Sequence, residues 1–233
     1  MALNGYPPNV AFVDNFESLA AYEFGGEINA VCWIRELTGD FGEIERVLPP
    51  VEDITSIDRE DLAALALRAA GRLARDTLTG DLESVSNQGL QPSLDLVPSG
   101  PGRRNPGPVR TDVADWHADS ANAPTDTYLC TYTGASSQGI APQDAVARPD
   151  DPPSRAQLLQ FYGGNDDEGF RTFLSEQFYD LHYVEKANAR IFEFKQAHLW
   201  KIATKYPGCP GPPCIHRAPT TSPAAPRRLL LIS

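Results

Sequence analysis

The sequence predicts a single domain that is mainly β with flanking helices. Three observations lead there. Twenty-one prolines in 233 residues suit a loop-rich β architecture better than a helical bundle, because proline lacks a backbone donor and clashes with the preceding helical turn. Short runs of β-branched and aromatic residues recur between turns rich in Gly, Pro and Asn. The length suits one core, since all-β domains of this size are common, and no internal repeat, low-complexity tract or second domain boundary interrupts the chain.

Taken in order, residues 1–27 are punctuated by Pro, Gly and Asn and predict an N-terminal arm lying on the body of the domain, residues 28–233. INAVCWIRE (28–36) reads as the first strand. DREDLAALALRAAGRLARDTLT (58–79) has leucines at 62, 65, 67, 73 and 78 with alanines between. That period predicts a helix, with Asp58 as N-cap and Asp61 near the positive end of the dipole. Its leucine stripe is core packing rather than a partner surface. LQPSLDLVPS (90–99) is strand-like, and SGPGRRNPGP (99–108) is a flexible loop. From that loop Arg103 and Arg104 can reach an anionic ligand, although a solvated turn is their simpler role.

VRTDVADWHADS (109–120) and TDTYLCTYTG (125–134) both have strand character, the second alternating Tyr128, Cys130 and Tyr132 against Leu129 and Thr131. Residues 135–153 read as a polar loop. Helical patterning returns in two pieces over 154–181, SRAQLLQFY and EGFRTFLSEQFYDL, split by GGNDD. Leu158, Leu159, Phe161, Phe170, Phe173, Leu174 and Phe178 are expected to cover the sheet structure or form a lid. ARIFEFKQAHLWKI (189–202) is strand-like, and after the stiff turn PGCPGPP come CIHRAP (214–219) and RRLLLIS (227–233).

Composition excludes several function classes. A formal charge of −11 without a dense basic stripe argues against nucleic acid and against an anionic membrane surface. No apolar run approaches the roughly 20 residues that span a bilayer. MALNGYPPNVAFVDNF lacks a basic region followed by an apolar stretch, and four cysteines make no dense disulfide framework, so a cytoplasmic location is expected. There is no GxSxG, GxGxxG or P-loop, so hydrolase nucleophiles and nucleotide cofactors are not expected.

The informative feature is His117-x-Asp119, a distant His216, and then Arg227 and Arg228. On a strand, residues i and i+2 share a face, so His117 and Asp119 can chelate one metal. A third ligand from a far strand completes a 2-His-1-carboxylate face, which leaves positions open on iron(II) for a co-substrate and dioxygen. An arginine 11 or 12 positions beyond the distal histidine lies one hairpin away and can clamp a carboxylate through its bidentate fork.

This order resembles the iron(II)/2-oxoglutarate-dependent dioxygenase superfamily. More closely, DWHADS (115–120), YLCTYTG (128–134), IHRAPT (215–220) and RRLLLIS (227–233) are similar to the HxD, LLCTYRG, HRSPP and RLLL blocks of an uncharacterised bacterial domain family, whose opening strand INAVCWIREL (28–37) also resembles. Residues 136–186 match none of its blocks. Ser120 stands where that family often has a second histidine, and Thr133 where it has an arginine.

The resemblance implies a double-stranded β-helix (jelly-roll, cupin-like) barrel over residues 28–233. It implies metal ligation by His117, Asp119 and His216, with iron(II) as the ion and 2-oxoglutarate as co-substrate. Arg228 or Arg227 then anchors the distal carboxylate, with Thr131 or Tyr132 adding a hydrogen bond. Arg217, Tyr128 and Trp116 are the candidates for contact with a small-molecule substrate.

Other readings stay open. Cys209, Cys214 and His216 form a C-x4-C-x-H pattern with the atoms for zinc or copper, although a free-thiol or disulfide turn explains it as well. A non-catalytic, cupin-like metal-binding or metal-homeostasis protein, or a metal-dependent isomerase or cyclase, can use the same barrel. His182 and His198 are isolated and expected to fill surface or core roles. Trp33, Trp116 and Trp200 suit a core more readily than a pocket.

Overall fold

A computed structural model describes residues 5–100 and 107–233; Arg103 and Arg104 lie outside the described residues. The chain runs β1 (Val10–Val13), α1 (Phe16–Ala20), β2 (Ala30–Trp33), α2 (Phe41–Val47), β3 (Thr55–Ser56), α3 (Arg59–Ala64), α4 (Ala69–Ser86), β4 (Ser93–Val97) and β5 (Asp126–Thr133). It continues through β6 (Gln138–Ile140), β7 (Ala145–Ala147), α5 (Pro152–Tyr162), α6 (Glu168–Glu176), β8 (Tyr183–Glu185), β9 (Ile191–Glu193), β10 (Leu199–Ala203), β11 (Ile215–Arg217) and β12 (Arg228–Ile232).

Seven strands form one large sheet in the order β1-β2-β10-β5-β12-β4-β3, beside a three-stranded sheet β11-β6-β9 and the pair β7-β8. Only β1 and β2 run parallel; the other ladders are antiparallel. The architecture is therefore mixed α/β around a large sheet, with no barrel closed among the described residues, where a mainly β fold was expected. No helix among the described residues is long and apolar enough to cross a membrane.

The alternation along β5 explains the layers. Successive side chains of a strand point to opposite faces. Tyr128, Cys130 and Tyr132 join a core with Leu78, Leu82 and Val85 of α4 and with Leu94, Leu96, Leu229 and Leu231 of the neighbouring strands. Leu129 instead joins Phe192, Phe194, Trp200, Ile202 and Cys214. One face of the large sheet is thus closed by helices and the other is covered by the small sheet.

Several sequence expectations change. The N-terminal arm contributes an edge strand: Val10–Val13 pairs with β2, and Asn9 donates to Asn29 at 2.7 Å behind it. The helix expected over 58–79 breaks after Ala64, with Leu65 at ψ 130° and Arg68 at ψ 175°, and α4 then continues to Ser86. Asp58 precedes α3 without a side-chain capping bond. The distant Glu43 carboxylate accepts from the Arg68 N–H at 3.0 Å instead, so the start of α4 is fixed by a tertiary partner. The expected loop 135–153 holds β6 and β7. The strand character of 109–120 shrinks to single bridges, of His117 with His182 and His216 and of Ser120 with Lys205. The run 189–202 is cut between β9 and β10, where Lys195 and Ala197 have φ of 55° and 69°.

The split of the second helical region does follow the pattern. Gly163 ends α5 at φ 74°, and the side chains of Asp151 and Asp167 cap α5 and α6.

Candidate metal centre

His117 lies in an extended segment that pairs directly with β11. Its N–H donates to the His216 carbonyl and the His216 N–H donates back, each at 2.9 Å. On its other edge β11 pairs with β6, setting His216 opposite Gly139. A Cβ at Gly139 would run into the ring of Phe192, so the glycine lets that ring pack under the strand carrying His216. Asp119 is tied down by its carbonyl, which accepts from the Lys205 N–H at 2.8 Å.

These backbone pairings bring three side chains from separate parts of the chain to one point. His117, Asp119 and His216 each offer one ligand atom, all within 4.8 Å of one another, and the group could hold a metal ion. Asp119 Oδ1 stands 3.9 Å from His117 Nε2 and 3.8 Å from His216 Nε2. Its other oxygen, Oδ2, accepts from the Thr127 hydroxyl at 2.8 Å, which orients the carboxylate. His117 Nδ1 lies 2.9 Å from the Asp115 carbonyl and His216 Nδ1 lies 3.3 Å from the Cys214 carbonyl. A carbonyl only accepts, so Nδ1 is the protonated nitrogen in each ring's metal-ligating tautomer, which leaves the Nε2 lone pair toward the site. Burial, and next the neighbouring His216, push the His117 pKa down to about 4. The ring is therefore neutral at pH 7, the state that metal ligation needs.

Arg228 is the second notable group on the same side of the large sheet. It is 5% exposed. Its Nη2 donates to the hydroxyls of Ser137 at 3.1 Å and Thr131 at 3.5 Å, while its buried Nε finds no partner. No carboxylate pairs with it among the described residues, and burial pushes its pKa down to about 10. Arg228 lines a cavity of about 290 Å³ together with Ser99, Asp112, Ala218 and Thr221. Gly134, at φ +74°, makes room for the arginine: a Cβ there would come within 2.8 Å of Arg228 Cγ and of the Arg227 carbonyl.

Other residues expected at the site are not brought there. Tyr132 points to the helix face, where its hydroxyl donates to Asp81 at 2.6 Å. Tyr128 packs on that face against Phe16, with ring centroids 6.3 Å apart. Arg227 turns away to Glu45, donating to its carboxylate at 2.7 Å, and to the carbonyls of Glu45, Leu48 and Pro49. Arg217 donates to Gln138 at 2.9 Å and lies 4.2 Å above the Trp116 ring. Trp116 is buried and donates to Glu185 at 2.8 Å. In each case the side chain alternates away from a neighbour that faces the centre or the small-sheet layer, and its polar atoms are already engaged.

The cysteine turn does not form a rival centre. Among the described residues, the one group of three close enough for a single ion is His117, Asp119 and His216, and neither Cys209 nor Cys214 belongs to it. All four cysteines are free, and Cys214 is buried with its thiol pushed well above the usual range by desolvation. Its contribution is the carbonyl that orients His216.

One residue assigned a bland role sits at the centre. The His182 ring lies 6.0 Å from that of His117, centroid to centroid, and its backbone carbonyl accepts from Arg148. His182 and Asp119 line a cavity of about 300 Å³. That cavity shares Ser120, Phe178 and Leu181 with a groove of about 470 Å³. Nothing local in the sequence marks His182, because its approach to His117 depends on pairing between segments 65 positions apart.

No protein-family model, curated protein or solved structure matches the chain.

Proposed function

We propose that the protein is a non-haem iron(II) oxygenase that uses 2-oxoglutarate and dioxygen to oxidise a small molecule, on a scaffold of the double-stranded β-helix type. The observation that carries this reading is the pairing of a His-Asp-His group with a buried arginine on the same side of the sheet that has no anionic partner among the described residues. A buried, unpaired guanidinium is costly, and a bound carboxylate satisfies it with a charge-assisted, bidentate contact. The small sheet packed over the large one through Phe192, Phe194 and Cys214 supports the scaffold assignment.

Under this reading His117 Nε2, His216 Nε2 and Asp119 Oδ1 hold iron(II), and three ligands on one side leave positions for co-substrate and dioxygen. The bound iron supplies dioxygen activation coupled to decarboxylation of the oxo acid. The chain's own residues position and shield. Asp115 and Cys214 carbonyls keep the imidazole tautomers, and Thr127 keeps the carboxylate turned. Arg228, with Thr131 and Ser137, binds the far carboxylate of 2-oxoglutarate. Phe178 and Leu181 border the cavity beside Asp119 and limit water there.

Anaerobic addition of iron(II) and then 2-oxoglutarate tests the proposal. A weak visible charge-transfer band is expected for the wild type, and it should be lost in Arg228→Met, which keeps its iron. Tight retention of zinc with no response to 2-oxoglutarate would replace the oxygenase reading with that of a metal-binding protein. Turnover that consumes no 2-oxoglutarate would point to an isomerase or cyclase.

A further inference from the structure

We propose that His182 is a substrate-positioning residue, whose Nε2 accepts a hydrogen bond from a hydroxyl or amine donor on a ligand seated in the cavity beside Asp119. This inference rests on the oxygenase reading only for what is done to the ligand; the recognition itself follows from the geometry of the cavity.

The His182 ring is held from one side. Its Nδ1 lies 2.7 Å from the Phe178 carbonyl, and because a carbonyl cannot donate, Nδ1 carries the proton. The ring's other nitrogen has no hydrogen-bond partner among the described residues, yet the residue is 7% exposed and lines the cavity. In the neutral ring Nε2 is then the acceptor, on a residue that lines the space next to the carboxylate of the candidate metal group. A cavity with a few convergent polar groups is where a small ligand finds its orientation.

The surroundings narrow the ligand class. Asp119 borders the same cavity, so a carboxylate or phosphate placed against His182 would meet an acceptor and a negative charge together. A donor is required. Phe178, held at φ 57° and 58% exposed, offers an aromatic wall at the mouth, and Leu181 continues it. The fitting ligand is compact, with an apolar body against Phe178 and Leu181 and an alcohol or amine turned inward. An anionic co-substrate belongs on Arg228, in a cavity with different walls.

Benzyl alcohol and benzyl methyl ether form a probe pair that differs in the donor. The full chain, metal-free and zinc-loaded, is titrated with each while the ring nitrogens of its four histidines are followed by long-range proton–nitrogen NMR. The expected result is an unprotonated Nε2 in the free protein, whose signal moves with the alcohol and stays put with the ether. The alcohol should bind more tightly by on the order of tenfold, the effect of one neutral hydrogen bond. His182→Phe should erase the preference while zinc binds with unchanged stoichiometry, and His182→Gln, which keeps an acceptor, should restore part of it. Equal affinity for the two probes, no binding of either, or a proton found on Nε2 would each overturn the proposal. Failure of the wild type to bind zinc or iron counts against the oxygenase reading instead, since the probe titration is also read without metal.

Discussion

Arg35, two residues past the end of β2, and Arg228 of β12 both have largely covered side chains, and they are treated in opposite ways. The Arg35 side chain is 8% exposed and forms a two-pronged pair with Asp81 of α4, at 2.7 and 2.5 Å. Its Nε donates to the Ala197 carbonyl at 2.8 Å, and the Tyr132 hydroxyl completes the Asp81 carboxylate. These contacts outweigh desolvation and push the Arg35 pKa up. Arg228, 5% exposed, has two hydroxyls and, among the described residues, an unpaired Nε and no carboxylate, and its pKa falls to about 10. The helix face is electrostatically finished by the chain itself. The small-sheet face is not, and that is also the face to which the His-Asp-His group belongs. Incomplete pairing on one side of an otherwise satisfied fold is what a binding site requires.

The contrast can be tested by substitutions, beginning with the largest effect. Asp119→Ala removes the only carboxylate of the metal group, so metal binding should be abolished in a titration with zinc or iron(II), while circular dichroism of the metal-free chain stays unchanged. On the finished face, Asp81→Ala strands both Arg35 and Tyr132, and should destabilise the fold by about 3–5 kcal/mol in a urea titration without altering the metal ligands. Gly139→Ala touches no ligand but pushes Phe192 against the strand that carries His216. It should weaken metal binding by roughly 10–100-fold, as loss of a supporting contact does.

A smaller effect concerns pH. The unfolded chain protonates His117 near pH 6.5, whereas the folded chain resists until about 4. Between those values the unfolded state binds more protons, so the stability of the metal-free protein should fall as pH drops from about 6.5 to about 4, with no contribution from this group above that window. In His117→Gln the slope over that window should be shallower than in the wild type. The smallest change carries the opposite sign. Arg228→Met removes an unpaired buried charge and should leave stability unchanged or raise it by up to ~2 kcal/mol, while carboxylate binding is lost. A large loss of stability in Arg228→Met would show that the two arginines are not different in kind.

Local pattern was enough to place much of the framework. The alternation of Tyr128, Cys130 and Tyr132 against Leu129 and Thr131 marks β5, and GGNDD marks the break between α5 and α6. What pattern could not supply was sidedness. Thr131 and Tyr132 are adjacent on β5, and Arg227 directly precedes Arg228 at the start of β12; neighbours along extended backbone cannot face the same layer. The sequence shows that one of each pair must be excluded, but not which one. The same holds for Trp116 beside His117 and Arg217 beside His216. The broken helix at Leu65–Arg68 was hidden for a related reason: the carboxylate that meets the new helix start is Glu43, 25 positions earlier.

By itself, then, the amino-acid order determined the periods of the elements, the same-face relation of His117 and Asp119, and the supply of an arginine after the distal histidine. Tertiary pairing alone decided that His216 lies against His117, that Arg228 rather than Arg227 enters the small-sheet layer, and that His182 borders the cavity. The physical reason is that strand periodicity is a local steric property of the backbone, whereas register is set by long-range hydrogen bonding and burial, and a shift of one residue exchanges every inward side chain for its outward neighbour.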